Sequence, residues 1–502
     1  MPCKEIRIIV HGMLQFLQDH WQSIGIVILY AITALVAVKA LLETHTTGKT
    51  LAYLLLLFFI PGLGVLIYLL IGVNRRVNRI YSRKWMSNVR LSERLKDYLR
   101  KENRDTLLEH SALVENKDGI ARLLFRDTLS PITANNETEL LINGEEKFPA
   151  LIEALRSAQH HIHLEYYIFE EDIIGREVME IMMQKARDGV EVRFIYDDFG
   201  SSDINRRFLK EMRAAGVEVF PFYKIRLLAN RLNYRNHRKI VVIDGHTGFI
   251  GGINIADRYI NEPQYRQAHP HWPFWRDTHL RIKGQGVHTL QFLFMGDWNF
   301  CADSDLPITQ DFFPDIETKG DDLVQIAASG PDSERSSIML SFLAAINQAE
   351  RSVYITTPYF IPNDSIYHAL QQAALSGVDV RLLVPGESDS RLVNKAAESF
   401  YEDLLACGVR IFRYNKGFVH AKTMVVDDNL SVVGTANMDI RSFDFNFEVN
   451  AFVYSREINW KLSEAFLQDT LHSSEIILAD WRERGRWPRL GEAVVRLISP
   501  LL

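Results

Sequence analysis

Two long apolar runs stand near the start of the chain, at residues 24–42 and 51–73. The first has the length that a helix needs to span a bilayer, and only Lys39 near its end interrupts it. The second contains Pro61 and two glycines, which membrane helices tolerate. The pattern therefore predicts a pair of transmembrane helices within residues 1–74, joined by a short loop.

Basic residues set the expected orientation of this pair. Lys4 and Arg7 precede the first run, and the second is followed by Arg75, Arg76, Arg79, Arg83, Lys84 and Arg90. The positive-inside rule then places the N-terminus and everything after residue 74 in the cytoplasm, as in a multi-pass membrane protein. The alternatives are a cleaved signal peptide in the first run and a buried soluble hairpin. Residues 75–122 are charged and helix-prone, and we interpret them as a juxtamembrane linker.

From about Leu124 onward, short apolar runs rich in β-branched residues alternate with helix-prone stretches, which predicts an α/β fold. The order of these runs repeats. Residues 189–193 match residues 377–381, and residues 215–219 match residues 407–411. We therefore predict two fused α/β repeats, at 123–322 and 323–502, whose equivalent edges face each other and share one active site.

One polar motif occurs in both repeats and follows the template H-x-K-x4-D-x6-G-[GT]-x-N without a gap. Its members are His237, Lys239, Asp244, Gly252 and Asn254 in the first copy, and His420, Lys422, Asp427, Thr435 and Asn437 in the second. Each copy is predicted as a β-hairpin, with first strands at 240–243 and 423–426. Because side chains alternate along a strand, the histidine and lysine of each copy share a face. The aspartate lies an odd number of residues further on, so we interpret it as a structural partner within the catalytic motif.

This pair of motifs suits a phosphodiester. The histidines can act as nucleophile and as general acid or base near neutral pH. The lysines and asparagines can neutralise and hydrogen-bond the phosphoryl oxygens as charge develops. Mg²⁺ and carboxylates usually do this at phosphoryl sites, but two fixed ammonium groups can replace the metal. The sequence contains no nucleotide-binding motif, and we expect neither a metal nor another cofactor.

Composition narrows the classes of partner. The formal net charge of −6 gives no reason to expect a nucleic-acid-binding protein. The three cysteines lack metal-site spacing and indicate reduced thiols. Further histidines occur in two groups, which we expect to be exposed loop residues rather than metal ligands: His160, His161 and His163, and His269 and His271. Trp272, Phe274 and Trp275 either contact acyl chains at a bilayer surface or pack internally.

The two motifs resemble those of the phospholipase D superfamily, in which paired His-Lys-Asp motifs meet across a pseudo-twofold axis. Within it, the chain resembles the bacterial cardiolipin synthases over nearly all of its 502 residues. Gly252 stands where many phospholipases have Ser. Further similar segments are 162–169, 274–281, 357–362, 439–443, 446–450 and 496–502.

The resemblance implies phosphatidyl transfer between two phosphatidylglycerol molecules in a bilayer, which gives cardiolipin and glycerol through a phosphohistidine. By analogy, His237 is the nucleophile and His420 the acid and base, although the motifs are too symmetric to decide. Lys239, Lys422, Asn254 and Asn437 are expected to hold the phosphoryl oxygens, assisted by Thr435. The resemblance also implies that Glu448, 28 residues after His420, orients the catalytic histidine, and that Asp277 has the matching role in the first repeat, 40 residues after His237.

Several alternatives remain open on these residues. A hydrolytic phospholipase D would use the same groups with water as acceptor, and another synthase would use phosphatidylethanolamine as donor. A nuclease would be expected to show basic patches and no membrane spans, and a non-catalytic membrane protein would be expected to have lost a histidine or lysine from a motif. The oligomeric state does not follow from the sequence.

Overall fold

The computed structural model of the protein describes residues 2–43, 47–71, 100–101, 103–222, 234–302, 304–316 and 320–498. The described residues up to Ile71 form one compact unit, and those from residue 100 onward form a second, larger one. The basic residues that set the predicted orientation after the second apolar run, Arg75 to Arg90, lie outside the described residues.

The first unit is built from helices. Helix Pro2–Glu43 includes a segment, His20–Glu43, that is long and apolar enough to cross a membrane. The second apolar run forms two shorter helices, Thr47–Phe59 and Pro61–Ile71. Proline has no N–H to donate and its ring clashes with the preceding turn, so a break at Pro61 has a physical cause. Among the described residues only one helix reaches spanning length, and the predicted pair is not confirmed.

The second unit contains strands and helices in alternation. Its strands are β1 Thr133–Ile142, β2 His161–Tyr166, β3 Glu191–Tyr196, β4 Glu218–Pro221, β5 Arg235–Asn236, β6 Ile240–Ile243, β7 Thr247–Gly251, β8 Phe274–Arg276, β9 Thr278–Lys283, β10 Asp322–Ser329, β11 Ser352–Thr356, β12 Phe360–Ile361, β13 Asp379–Pro385, β14 Arg410–Tyr414, β15 Gly417–Val419, β16 Thr423–Val426, β17 Leu430–Gly434, β18 Met438–Asp439, β19 Asn446–Tyr454 and β20 Ser473–Glu475.

The helices of this unit lie between and beside these strands. They are Ser111–Val114, Asp118–Thr128, Asn143–Ser157, Ile173–Arg187, Arg206–Ala214, Gly286–Ala302, Ser337–Asn347, Asp364–Leu375, Arg391–Glu398, Tyr401–Ala406, Ile440–Asp444, Arg456–Leu471, Leu478–Arg482 and Arg486–Ile498, with short 3₁₀ turns at Glu115–Lys117, Asp257–Tyr259 and Pro263–Tyr265.

The strand order is the same in both halves. It runs β1-β9-β7-β6-β2-β3-β4 in the first and β10-β19-β17-β16-β11-β13-β14 in the second. In each half the last three strands of that order are mutually parallel, and the others are antiparallel. β1 pairs with β10 and joins the halves into one continuous sheet. The predicted duplicated α/β plan is confirmed.

The hairpins that carry the motif lie within this sheet, with strands on both sides of them. β6 and β16 have the bounds that the apolar runs predicted, and every residue in them is buried. Val241 and Ile243 face the helices of the first repeat. Ile240 and Val242 face a second core, to which both repeats contribute. Burial on both faces explains why these strands read as continuous apolar runs rather than as alternating ones.

One helix packs away from its place in the sequence. Helix Asp118–Thr128 spans the predicted start of the first repeat, but its Ile120, Ala121 and Leu124 lie in the core of the second repeat, which also contains Ile338 and Phe342. Just before it, Lys117 is buried and forms an ion pair with Asp427 at 2.7 Å. The end of the predicted linker, residues 118–122, and the first residues assigned to repeat one thus pack against repeat two.

Candidate active site

Two short strands carry the catalytic segments across the junction between the repeats. β5, just before His237, pairs in parallel with the start of β19 in the second repeat. β15, just before His420, pairs in parallel with β8 of the first. The backbone N–H of His237 donates to the carbonyl of Phe447 at 3.0 Å, and that of His420 donates to the carbonyl of Arg276 at 2.7 Å. Each histidine is therefore fixed by the opposite repeat.

The carboxylate partners are exchanged in the same way. His237 Nδ1 lies 2.9 Å from an oxygen of Glu448, and His420 Nδ1 lies 2.7 Å from an oxygen of Asp277. The expectation that each carboxylate orients the histidine of its own repeat is wrong, because β5 and β15, which lead into the two histidines, pair with β19 and β8 of the opposite repeat. A carboxylate only accepts, so each Nδ1 carries the proton, and each Nε2 keeps its lone pair for chemistry.

Both carboxylates are fully buried and ionised. Burial alone raises the pKa of a carboxyl group. At Glu448 the electrostatic interaction and hydrogen bond with His237, together with the charge of Lys239, outweigh burial and lower its pKa. At Asp277 the electrostatic interaction with His420, the charge of Lys422 and the hydrogen bond from His420 have the same effect.

The two lysines bring both motifs into one electrostatic site. Lys239 Nζ donates to the carbonyl of His237 at 2.7 Å, and Lys422 Nζ donates to that of His420. Burial, assisted by the charge of Lys422, lowers the pKa of Lys239 to about 7. Burial also lowers the pKa of Lys422 to about 8. Each lysine thus lies close enough to act on the other motif.

The histidines feel the same two charges. Burial lowers the pKa of His237 to about 4, with Lys239 and Lys422 acting in the same direction. Burial and the charge of Lys422 lower the pKa of His420 to about 3. Both imidazoles are therefore neutral at pH 7 in the empty site. An anionic phosphodiester that enters would raise the pKa of all four groups, because an opposite charge favours their protonated forms.

The predicted phosphate-binding side chains are placed less uniformly. Asn254 Oδ1 accepts from the N–H of Ile168 at 3.1 Å, and its Nδ2 donates to the hydroxyl of Tyr259 at 2.8 Å. Asn437 Nδ2 donates to Asp439 at 3.2 Å, while its Oδ1 is buried and has no hydrogen-bond partner among the described residues. Both amide atoms of Asn254 thus form hydrogen bonds with protein groups, whereas at Asn437 only Nδ2 does so.

Thr435 has a different role from the expected one. Its hydroxyl is fully buried and donates to Glu448 at 2.5 Å, while the N–H of Val449 donates to that hydroxyl at 2.9 Å. Gly252 occupies the matching position in the first repeat, and a Cβ built there would meet Asp277 Oδ1 at 2.0 Å. Thr435 thus braces one carboxylate, and Gly252 leaves room for the other.

The motif aspartates hold the hairpin turns. Asp244 accepts hydrogen bonds from the backbone N–H groups of Gln159, His160 and His161, at 2.8 to 2.9 Å. Asp427 does the same for the N–H groups of residues 350–352 and also binds Lys117. Both lie in the left-handed region, with φ of 51° and 53°. Their interpretation as structural partners agrees with these bonds.

Two aromatic side chains at the histidines were not singled out for this role. The ring of Tyr167 lies 4.9 Å from that of His237, and the ring of Trp275 lies 5.1 Å from that of His420. Trp275 also contacts Tyr259 and Phe418, so it packs inside the protein rather than facing a bilayer. Its position two residues before Asp277 is the sequence feature from which its place beside the catalytic histidine could have been predicted.

A buried polar network behind His237 was also missed. Asn236 Nδ2 donates to Glu165 at 2.5 Å, and Arg238 donates to Asp297 at 2.5 Å. Burial and the nearby charge of Asp297 raise the pKa of Glu165 well above its usual range. The network holds the residues on both sides of His237. Polar residues at 165, 236 and 238 next to apolar strands were its signal.

The other histidines divide into two sets. His269 and His271 are exposed, as expected. His161 and His163 are instead fully buried on β2, where both ring systems contact the side-chain amide of Gln291. The expectation of exposed loop residues is wrong for these two, because they lie in the parallel part of the sheet and are covered by helix Gly286–Ala302. Among the described residues, no group of three or more potential ligands could hold a metal ion.

Known proteins are similar to almost the whole chain. The family model "Cardiolipin synthase, PLD-like domain" matches residues 151–264 and 342–470, and "Phospholipase_D-nuclease N-terminal" matches residues 28–72. "Cardiolipin synthase" of Geobacillus thermodenitrificans is 41% identical over 99% of this chain and 98% of its own length. "Major cardiolipin synthase ClsA" of Bacillus subtilis is 41% identical over 92% of this chain and 95% of its own.

A solved structure shows the same fold at low identity. Phosphatidylserine synthase of Haemophilus influenzae superposes with a TM-score of 0.57 at 14% identity, over 77% of this chain and 99% of that one. The two matched phospholipase D-like segments coincide with the two repeats that carry the crossed histidine–carboxylate pairs. On the strength of its relatives and of these repeats, the chain belongs to the cardiolipin synthase family of proteins with phospholipase D-like domains.

Proposed function

We propose that this chain is a cardiolipin synthase, which transfers a phosphatidyl group from one phosphatidylglycerol to a second and releases glycerol. The observation that carries the proposal is the pair of neutral imidazoles, each oriented by a buried carboxylate of the opposite repeat and each beside a buried lysine. Relatives named cardiolipin synthase match the chain along nearly its full length. No nucleotide is needed, because one phosphodiester replaces another.

The first half-reaction would form a covalent intermediate. Nε2 of His237 attacks the donor phosphorus, the bond to the glycerol oxygen breaks, and His420 Nε2–H gives its proton to that oxygen. The proton becomes available because the bound phosphodiester raises the pKa of His420. Glycerol leaves, and the phosphatidyl group stays on His237. The trapping experiment below distinguishes this assignment from the same chemistry with the roles of the two histidines exchanged.

The second half-reaction reverses the roles. His420, now neutral, takes the proton from a glycerol hydroxyl of the second phosphatidylglycerol, whose oxygen attacks the phosphorus and displaces the imidazole of His237. Lys239 and Lys422 stabilise the charge on the phosphoryl oxygens in both steps, which is the task that Mg²⁺ performs at other phosphoryl sites. Asn437 and Asn254 add amide donors.

We infer that the reaction takes place at the cytoplasmic face of a bacterial inner membrane. The apolar segment His20–Glu43 supports anchoring in the bilayer. Basic residues flank the apolar runs in the sequence and support a cytoplasmic N-terminus and catalytic body, with two passes through the membrane.

Lipid mass spectrometry tests the reaction directly. The purified full-length protein is incubated with phosphatidylglycerol vesicles, without nucleotide or metal. Cardiolipin and an equal amount of glycerol are expected. Phosphatidic acid as the main product would identify a hydrolytic phospholipase D, and ethanolamine release from added phosphatidylethanolamine would identify that lipid as donor.

Variants test the assigned roles. His237→Ala and His420→Ala should each abolish cardiolipin formation, while Gln184→Ala, an exposed change on helix Ile173–Arg187, should not. Acid quenching with ³²P-labelled phosphatidylglycerol should trap label on the wild-type protein and on none of the His237→Ala protein. Full activity in either histidine variant, or label retained on His237→Ala, would contradict the assignment.

A further inference from the structure

Helix Arg486–Ile498 near the end of the chain carries an exposed apolar stripe. Trp487 and Leu497 are 82% and 80% exposed, and Leu490 and Val494 are each 54% exposed. Spacings of three, four and three residues put these four side chains on one face of an α-helix. Large side chains this exposed are unfavourable in water and mark a contact surface when they lie together.

The opposite face of this helix explains why it is held in place. Val495 is buried against Ala396 and Ile361, and Glu492 forms an ion pair with Arg484 at 2.8 Å. Arg489 binds Glu402 of helix Tyr401–Ala406 at 2.7 Å. The helix is thus docked by its inner face, and the apolar stripe is an outer surface rather than an unpacked core.

The charge around the stripe is positive. Between Arg482 and Arg496 there are five arginines and two glutamates, and Glu402 pairs with two of the arginines, which leaves a surplus of two positive charges in a chain whose formal net charge is −6. An apolar face flanked by arginines, with a tryptophan at its edge, is typical of a helix that lies in the headgroup region of an anionic membrane. Each basic residue near such a surface adds favourable electrostatic energy.

The stripe is also connected to the active site. Helix Arg391–Glu398, on which the terminal helix packs, begins two residues after Asp389, which accepts a hydrogen bond from Tyr359 at 2.7 Å. Tyr359 leads into β12, and β12 pairs with β18, which directly follows Asn437. A series of contacts therefore links the terminal helix, through helix Arg391–Glu398 and Tyr359, to the strand that follows Asn437.

We propose that helix Arg486–Ile498 is an interfacial membrane helix, which inserts Trp487, Leu490, Val494 and Leu497 among the headgroups of an anionic bilayer and holds the second repeat against its lipid substrate. This contact is separate from the apolar N-terminal helix. It gives the catalytic body a second point of attachment, so that lipid enters the site without leaving the membrane.

Fluorescence quenching tests the insertion without reference to activity. In the full chain with Cys3, Cys301 and Cys407 changed to serine, a single environment-sensitive dye is attached at Leu490→Cys or, as a control, at the exposed Glu153→Cys. Each protein is placed singly in nanodiscs of phosphatidylglycerol with phosphatidylcholine, or of phosphatidylcholine alone, that contain a lipid-borne quencher.

The dye at position 490 should be quenched at least about threefold more than the dye at position 153, and more strongly in the anionic discs. Equal quenching at both positions, or none at 490, would overturn the proposal. A dye at 490 that is shielded in detergent in proportion to protein concentration would also overturn it, because a second copy of the chain would then cover the stripe.

Kinetics provide a second readout. The double variant Leu490→Glu with Val494→Glu should raise the apparent KM for phosphatidylglycerol in vesicles about tenfold, because it removes the membrane contact of the terminal helix. The kcat on a short-chain phosphatidylglycerol dispersed in detergent should stay unchanged. Leu375→Glu is the matched control, since Leu375 is 71% exposed and is the only exposed large hydrophobic residue in helix Asp364–Leu375. Loss of activity on the dispersed substrate would show a structural role and refute the proposal.

Discussion

At the scale of single residues, the site is more asymmetric than its duplicated motif. Glu448 accepts hydrogen bonds from His237, Thr435 and Asn446. Asp277 is one carbon shorter and lies against Gly252, where no side chain fits. The two histidines therefore meet carboxylates of different length and support. Substitutions next to Glu448 and next to Asp277 should therefore differ in their effect on activity.

Gly252→Ala should lower kcat for cardiolipin formation about 100-fold or more, because its Cβ would push Asp277 away from His420 and release the imidazole tautomer. Thr435→Ser is the matched change in the other repeat and keeps the hydroxyl on Glu448, so its kcat should stay within about twofold of wild type. Steady-state kinetics on phosphatidylglycerol would check both. Nearly normal turnover by Gly252→Ala would contradict the described packing.

The lowered pKa of the lysines predicts the alkaline side of the pH profile. Lys239 and Lys422, with a pKa of about 7 and about 8, lose their protons as the pH rises through these values. The site then no longer neutralises the phosphoryl oxygens, so kcat/KM should fall about tenfold per pH unit between pH 7 and pH 8 and more steeply above pH 8. Lys239→Arg keeps its charge and should move this fall to higher pH, whereas an unchanged profile would argue against a role for Lys239.

At the scale of elements, the hairpins show what the motif aspartates do. Asp244 and Asp427 each gather backbone N–H groups from the start of the neighbouring strand, β2 or β11. These bonds fix the turn of each hairpin to the sheet. The catalytic histidine and lysine precede the hairpin by only a few residues, so a loosened turn would shift them.

Asp244→Ala should lower the free energy of unfolding by about 1–3 kcal/mol, because it leaves three backbone donors without their acceptor. The kcat of the protein that remains folded should change by less than about fivefold. Thermal unfolding and activity in the same detergent would separate the two effects. A large loss of kcat with unchanged stability would instead make Asp244 a catalytic residue.

The strands could be predicted from the local pattern of apolar residues, whereas the strands with which they pair could not. β6 and β16 were predicted with their observed bounds, because continuous β-branched runs leave little choice. Spacing along the chain could not show that β5 and β8 cross to the other repeat, because pairing between distant strands depends on the whole sheet. His161 and His163 were misplaced for the same reason: their burial is decided by a helix more than a hundred residues away.

At the scale of the whole molecule, the repeats act as one catalytic body. The sheet runs from one half into the other through β1 and β10, and a core of both halves lies beneath the motifs. Duplication was visible in the sequence, as was the family motif. The exchange of carboxylates became visible only once the two halves were assembled.

A mixing experiment tests whether one chain builds one complete site. Purified His237→Ala and His420→Ala proteins, reconstituted together in phosphatidylglycerol vesicles, should form no cardiolipin, because both histidines and both carboxylates of a site belong to one chain. Each protein alone is the control. Recovery of about a quarter or more of wild-type activity in the mixture would show that halves are exchanged between chains and would contradict this arrangement.

The crossing of β5 and β8 has a consequence for the history of such a chain. Each half on its own would contain a histidine without its carboxylate partner and a carboxylate without its histidine. Neither half alone therefore contains a complete histidine–carboxylate pair. A substitution at Asp277 would alter the orientation of His420, and one at Glu448 would alter the orientation of His237. Sequence changes at a histidine in one half are therefore constrained by the carboxylate in the other half, even where the two halves differ in sequence.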